Sequence, residues 1–218
     1  TFLNALAGEV MVDSGQIIVD NLDGTRLPTH KRAARVARVF QDPLAGTCEN
    51  LSIEENLALA IKRGQSRGLT SAVKKQYLGQ FRESLATLKL GLENRLGDKM
   101  GLLSGGQRQA VSLLMASLTP SSILLLDEHT AALDPKTANF VLELTQQIIE
   151  EQKLTALMVT HSMKQALEVG SRTVMLHQGQ VVFDIAGKDR DGLEVKDLLG
   201  LFEKQRGLEV DDDSLLLG

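Results

Sequence analysis

The chain has 218 residues, 43% of them hydrophobic and 24% charged, with a net charge of −4. That length suits one large globular domain, or one domain with a subdomain, and the acidic balance excludes nucleic-acid binding through a broadly basic surface. No apolar run approaches the roughly 20 residues that span a bilayer, so a membrane role would pass through a partner; the single cysteine, Cys48, excludes an internal disulfide and fits a reducing compartment.

Thr1 to Gly8 reads as a helix already under way, with Leu3, Leu6 and Ala7 on one face and Gly8 as its stop. A chain whose first residue is Thr1 is expected not to show its natural start. Asp13 to Asp20 reads as turn then strand, and Asn21 to Pro28 as a turn-rich connection. Lys31, Arg32, Arg35 and Arg38 cluster at a strand over Val36 to Phe40 and are expected to form a solvated face. That strand ends at Gln41, and Asp42 to Thr47 is a loop by composition. Ser52-Ile53-Glu54-Glu55 has the spacing of a capping box and opens a helix over Ile53 to Ile61. Residues 51–103 are therefore expected to be a helical subdomain. It holds this helix, a turn at Arg63 to Gly68 and a second helix from Thr70 to Leu88, whose stripe Leu78, Phe81, Leu85 and Leu88 is its own core.

Leu103-Ser104-Gly105-Gly106-Gln107-Arg108-Gln109 reads as a tight, glycine-opened turn feeding a helix, since Ala110, Val111, Leu114 and Leu118 recur at helical spacing. Free backbone N–H groups and a serine hydroxyl at a helix N-terminus favour an anion such as phosphate. Ile123 to Glu128 follows: branched aliphatics ending in two carboxylates, the pattern of a strand buried on both faces. Asp127 and Glu128 would then lie at the carboxyl end of a sheet, where open α/β folds bind their ligands. His129 has no second His or Cys at ligand spacing, so it makes a poor metal ligand. Asp134-Pro135 starts a helix twice over, as N-cap and as proline at the first position, and that helix runs to about Gln152. Leu154 to Thr160 is the next buried strand and ends at His161, the third polar site at a strand terminus after Gln41 and Asp127-Glu128. Strands over Arg172 to His177 and Gln180 to Asp184 flank a Gln178-Gly179 turn, and a helix over Val195 to Gln205 precedes a flexible acidic tail at 206–218.

Ser104-Gly105-Gly106-Gln107 followed by Asp127-Glu128 resembles the signature motif and Walker B of the ATP-binding-cassette (ABC) ATPases, and the resemblance covers nearly the whole chain. It implies an α/β, P-loop NTPase core with a mostly parallel sheet and an inserted helical subdomain, all within one ABC ATPase domain over 1–218. It also implies that the chain begins inside the phosphate-binding loop, leaving Thr1 at the edge of the α-phosphate. ATP and Mg²⁺ are the implied cofactors: Asp127 would hold the metal, with Gln41 reaching it from the Q-loop. Glu128 would be general base or orient the attacking water, and His161 would contact the γ-phosphate with Gln41. Ser104, Gly105, Gly106 and Gln107 would serve the nucleotide of a second ATPase subunit in a head-to-tail homodimer, and Asp134 belongs to the D-loop that crosses to that partner. The implied function is an ATP-hydrolysing subunit on the cytoplasmic face of the membrane. It would power separate transmembrane permease subunits, with a solute-binding protein involved indirectly and no nucleic acid.

Within the family, Gln41 to Thr47 and Asp127 to Thr137 look closest to bacterial uptake systems for amino acids such as tryptophan or tyrosine. Two other readings stand beside this one: a cassette working in DNA repair or translation, and a fragment that does not itself catalyse. Against the first, the insertion is short and the sequence carries no second cassette and no basic surface.

Overall fold

The computed structural model describes residues 1–65 and 73–206, which form two compact units, Thr1–Val159 and Thr160–Gly218. The expected turn residues 66–68, the start of the second subdomain helix at 70–72 and the tail at 207–218 lie outside the described residues.

The first unit is built on a three-stranded parallel sheet. Its strands are β3 (Val36–Val39), β4 (Ile123–Asp127) and β5 (Thr155–Val159), with β4 central. Before it come α1 (Phe2–Ala7), a short hairpin of β1 (Ile18–Val19) and β2 (Leu22–Asp23), and α2 (Thr29–Arg32). Between β3 and β4 the chain makes α3 (Ile53–Ala60), α4 (Lys75–Ala86) and α5 (Gly105–Ser117), and α6 (Pro135–Gln152) joins β4 to β5.

The register pairs Val36 with Ile123 and Val39 with Leu126 on one side of β4, and Ile123 with Thr155 and Asp127 with Val159 on the other. Leu124, Leu125 and Leu126 are at most 1% exposed, as a central parallel strand covered on both faces requires. Alternate residues face opposite ways. Val36 and Leu125 pack with Leu3 and Ala7 of α1. On the other face Ala37, Val39, Leu124 and Leu126 join Ile53, Leu57, Phe81, Leu85, Leu88 and Leu113 in one continuous cluster. The apolar stripe of α4 is therefore shared with the sheet rather than closed on itself.

Local rules set the helix starts. Ser52 caps α3 in a complete capping box with Glu55, and Asp134 caps α6 ahead of Pro135. Gly8 ends α1 at φ 81°, left-handed backbone that favours glycine, and the Arg32 side chain packs against it. The connection after Asn21 differs from expectation, because Leu22–Asp23 pairs back onto Ile18–Val19.

The basic cluster is the main correction. Arg32 is only 4% exposed and donates to the carbonyls of Ala5, Leu6, Thr25 and Leu27. Arg38 is ion-paired with Glu9 and Asp127. Arg32 serves as an internal donor to carbonyls with no strand partner and Arg38 as a donor to carboxylates, while Lys31 is exposed as expected.

The second unit contains α7 (Met163–Glu168), an antiparallel hairpin of β6 (Arg172–His177) and β7 (Gln180–Ala186), and α8 (Val195–Arg206). Gln178 and Gly179 both have positive φ, as a two-residue hairpin turn of the favoured twist demands. Met163, Phe183 and Leu198 form its small core. No described helix is long and apolar enough to cross a membrane.

Candidate functional site

Asp127 is the last residue of the central strand, and Glu128 leaves it in left-handed backbone at φ 45°. A non-glycine residue seldom adopts that conformation, and it persists only where its surroundings hold it. Here the Glu128 N–H donates to the Val159 carbonyl at 3.0 Å, and the Glu128 carbonyl accepts from Ala131 N–H at 2.9 Å. Oδ2 of Asp127 accepts from Arg38 Nη2 at 2.5 Å, and Arg38 Nη1 donates to Glu9 Oε2 at 2.9 Å. The guanidinium also lies over the Phe40 ring, 4.6 Å from its centroid.

The segment after these acids is anchored by a buried histidine. His129 Nε2 lies 2.9 Å from Thr145 Oγ1, and Thr145 spends its only proton on the Val141 carbonyl. The imidazole must therefore donate through Nε2. Burial pushes its pKa down to about 4. This is a structural role, in keeping with its poor prospects as a metal ligand.

Gln41 lies two residues beyond β3 and is exposed. The backbone just before it is held by Gln109 of α5, whose Nε2 donates to the Phe40 carbonyl at 3.1 Å. Gln109 is fully buried, which sequence reasoning missed. A glutamine at a buried helical position carries no local signal of the distant carbonyl it serves.

The signature residues differ in detail from the expected turn. Ser104 is the N-cap, and Gly105 and Gly106 are the first two residues of α5 itself. Ser104 Oγ accepts from Gln107 N–H at 3.3 Å, while Gln107 Oε1 accepts from Ser104 N–H at 3.1 Å. Ser104-x-x-Gln107 carries the spacing of this complete capping box. A Cβ on Gly106 would lie 2.1 Å from the Thr137 methyl of α6, so the chain's own packing requires a glycine there. A Cβ on Gly105 would meet only Leu133 at 3.7 Å, so nothing in this chain requires that glycine.

Asp134 caps α6 by accepting from Thr137 N–H at 3.1 Å, and those bonds to Thr137 hold its carboxyl below the usual range. The Gly106–Thr137 approach therefore places the starts of α5 and α6 side by side. Thr1 is the exposed N-cap of α1 and makes no side-chain capping bond. His161 follows two residues after β5, is exposed, and belongs to the second unit. Asp127, Glu128, Gln41 and the Ser104–Gln107 start of α5 all belong to the first.

Among the described residues no three His, Cys, Asp or Glu side chains gather into a metal cage. Asp127 instead offers a hard carboxylate at a strand end. That donor suits Mg²⁺, which keeps several waters and takes one or two carboxylates together with substrate phosphates.

A parallel sheet with paired acids at the end of its central strand, and a serine-capped helix start, form the arrangement at which open α/β folds take a phosphate-bearing ligand. The ABC transporter family model matches residues 1–131. The tyrosine transport ATP-binding protein of Clostridioides difficile is 45% identical over 203 residues, spanning 93% of this chain and 80% of the relative. The thiamine import ATP-binding protein ThiQ of Escherichia coli is 32% identical over 183 residues, spanning 84% and 74%. An ATP-binding cassette of an ABC transporter superposes over the whole chain and 83% of its own length, with a TM-score of 0.75 and 20% identity. A dimeric cassette in a post-hydrolysis state bound to ADP and Pi gives a TM-score of 0.69 at 28% identity, covering 85% of this chain and 78% of that one. This chain belongs to the ABC transporter family, as its ATP-binding and ATP-hydrolysing subunit.

Proposed function

We propose that Glu128 activates or orients the water that attacks the γ-phosphoryl group, and that Asp127, with Gln41, holds Mg²⁺. The observation that carries this reading is the position of the two acids. Asp127 closes the central strand in register with Val159, and the Glu128 backbone is locked by the same residue's carbonyl. Phosphoryl transfer depends mainly on positioning and on neutralising developing charge, so a carboxylate fixed by backbone bonds suits the task. When bound, Mg²⁺ would neutralise phosphate charge. In this reading Gln41 organises the γ-phosphate end and Thr1 borders the α-phosphate; the γ-phosphate role of His161 rests on the family resemblance alone.

The Ser104–Gln107 helix start and Asp134 serve nucleotide held by a second copy in a head-to-tail pair. Gly105 supports this, since it is exposed and its lack of a side chain answers to nothing inside the chain. The helical subdomain over 51–103 is read as the part that meets the permease. An open cavity of about 780 Å³ beside α3 and α5, bordered by Lys31, Arg38, Lys62 and Arg63, offers room for an acidic or helical element of such a partner. The subunit would work at the cytoplasmic face of the membrane with a permease and a solute-binding protein. The solute is read as an aromatic amino acid taken up by the cell, because the more similar relative is a tyrosine transport subunit.

The test is Glu128→Gln in transporter reconstituted with its permease and solute-binding protein. We expect ATP binding to persist, hydrolysis to fall at least a hundredfold, the subunits to remain paired, and uptake of labelled tyrosine to stop. Parent-rate hydrolysis would remove Glu128 from the chemistry. A parent transporter that carried thiamine but not tyrosine would overturn the solute.

A further inference from the structure

Arg38 is held in a way that the family reading does not explain. Its side chain is about 10% exposed and bridges two carboxylates, Glu9 just after α1 and Asp127 at the end of β4. Phe40 covers one face of the guanidinium, and its Nε is buried without a hydrogen-bond partner. One end of this bridge is the carboxylate proposed to hold the metal.

We infer that Arg38 is a positioning residue for Asp127: an internal cation that holds the carboxylate by Oδ2 and weakens the site's affinity for a divalent metal. This rests on the proposed metal role of Asp127. Two effects oppose each other. The bond orients the carboxylate, which helps a metal by restricting a single short side chain. The guanidinium also places a full positive charge directly against the carboxylate that would hold a doubly charged ion, on a side chain only about 10% exposed. Repulsion between that charge and a divalent ion held by Asp127 would outweigh the ordering of one aspartate. Glu9 makes the arrangement workable: when a metal draws on Asp127, Arg38 keeps a carboxylate partner and is not left as a bare, shielded charge. The two carboxylates thus have opposite effects on the metal, one as its ligand and one as the alternative anchor of its competitor.

The experiment is a Mn²⁺ titration of the purified subunit, followed by electron paramagnetic resonance with ATP present. Arg38→Met should bind Mn²⁺ at least tenfold more tightly than the parent. Arg38→Lys, which keeps the charge, should return most of the way to the parent value. Glu9→Gln should shift affinity the other way, about threefold weaker, because Arg38 then has only Asp127 to satisfy it. Unchanged or weaker Mn²⁺ binding in Arg38→Met, or tighter binding in Glu9→Gln, overturns the inference. Asp127→Asn separates the two ideas. If it leaves Mn²⁺ binding intact, the metal role itself fails; if it abolishes binding while Arg38→Met changes nothing, only the role of Arg38 fails. Should Arg38→Met not fold, the opposed shifts of Arg38→Lys and Glu9→Gln decide the matter.

Discussion

Helices α1 and α7 are each six residues long, one in each unit, and each ends against an arginine supplied from elsewhere in the chain. A helix that short cannot sustain itself, because nucleation costs more than so few hydrogen bonds return. Arg32 donates to the carbonyls of Ala5 and Leu6 at the end of α1, and Arg190 donates to those of Ala166, Leu167 and Val169 at the end of α7. In both cases a cation meets the negative end of the helix dipole. The depths differ. Arg32 is buried and spends its remaining donors on Thr25 and Leu27 carbonyls, whereas Arg190 is half-buried and turns one donor to the Thr173 hydroxyl. The lesson is that the same capping device becomes structural cement where water cannot replace it. That happens at the end of α1, where the arginine is only 4% exposed.

Replacing the two arginines one at a time would break the comparison most directly. Arg32→Met should cost about 4 kcal/mol, since several carbonyls lose their donor in a place water does not reach. Hydrogen exchange should then show the α1 amides opening; an unchanged α1 would mean that Arg32 fills space rather than caps.

Next in size is a pH effect belonging to the first unit. His129 has an ordinary pKa of 6.5 lowered to about 4 by burial, so the unfolded chain takes up its proton first as pH falls. Its folded neutral form is fully favoured above pH 6.5, and stability declines from there down to about 4. The loss amounts to roughly 3 kcal/mol over that window. His129→Gln, which can still donate to Thr145, should flatten the profile in urea unfolding. An equally steep acid slope in that variant would place the titration on another group.

The smallest effect is expected in the second unit. Arg190→Met should cost about 2 kcal/mol, because water reaches part of the cap and can take its place. Should it match or exceed Arg32→Met in the same assay, depth of burial would not be what separates the two caps.

Much of the frame was open to reading because its signals are local. The aliphatic run ending at Asp127-Glu128 needs only its own composition to declare a buried strand. Ser52-x-x-Glu55 and Asp134-Pro135 announce helix starts through bonds closed within one turn. The same logic extended to Ser104-x-x-Gln107, and to Ser162, whose Oγ accepts from Gln165 N–H at the start of α7. Of these four starts the first two are expected from the sequence, whereas α7 is not, and the signature glycines lie in the first turn of a helix instead of in a turn.

What the sequence alone determined, then, is the order of the parallel strands and of the longer helices, the family, and the residue types at the strand ends, since each rests on signals carried along the chain. Tertiary structure decided where long polar side chains go. Lys31, Arg32, Arg35 and Arg38 look alike in sequence. Yet Arg32 reaches carbonyls of Ala5 and Leu6, and Arg38 reaches Glu9 and Asp127. Gln109 likewise bonds the Phe40 carbonyl from a distant helix. An arginine or glutamine can reach several ångströms in many directions, and its partner is whichever unsatisfied group the packed backbone leaves within reach. No window along the chain contains that information, because the partners come together only after the sheet and its helices have closed.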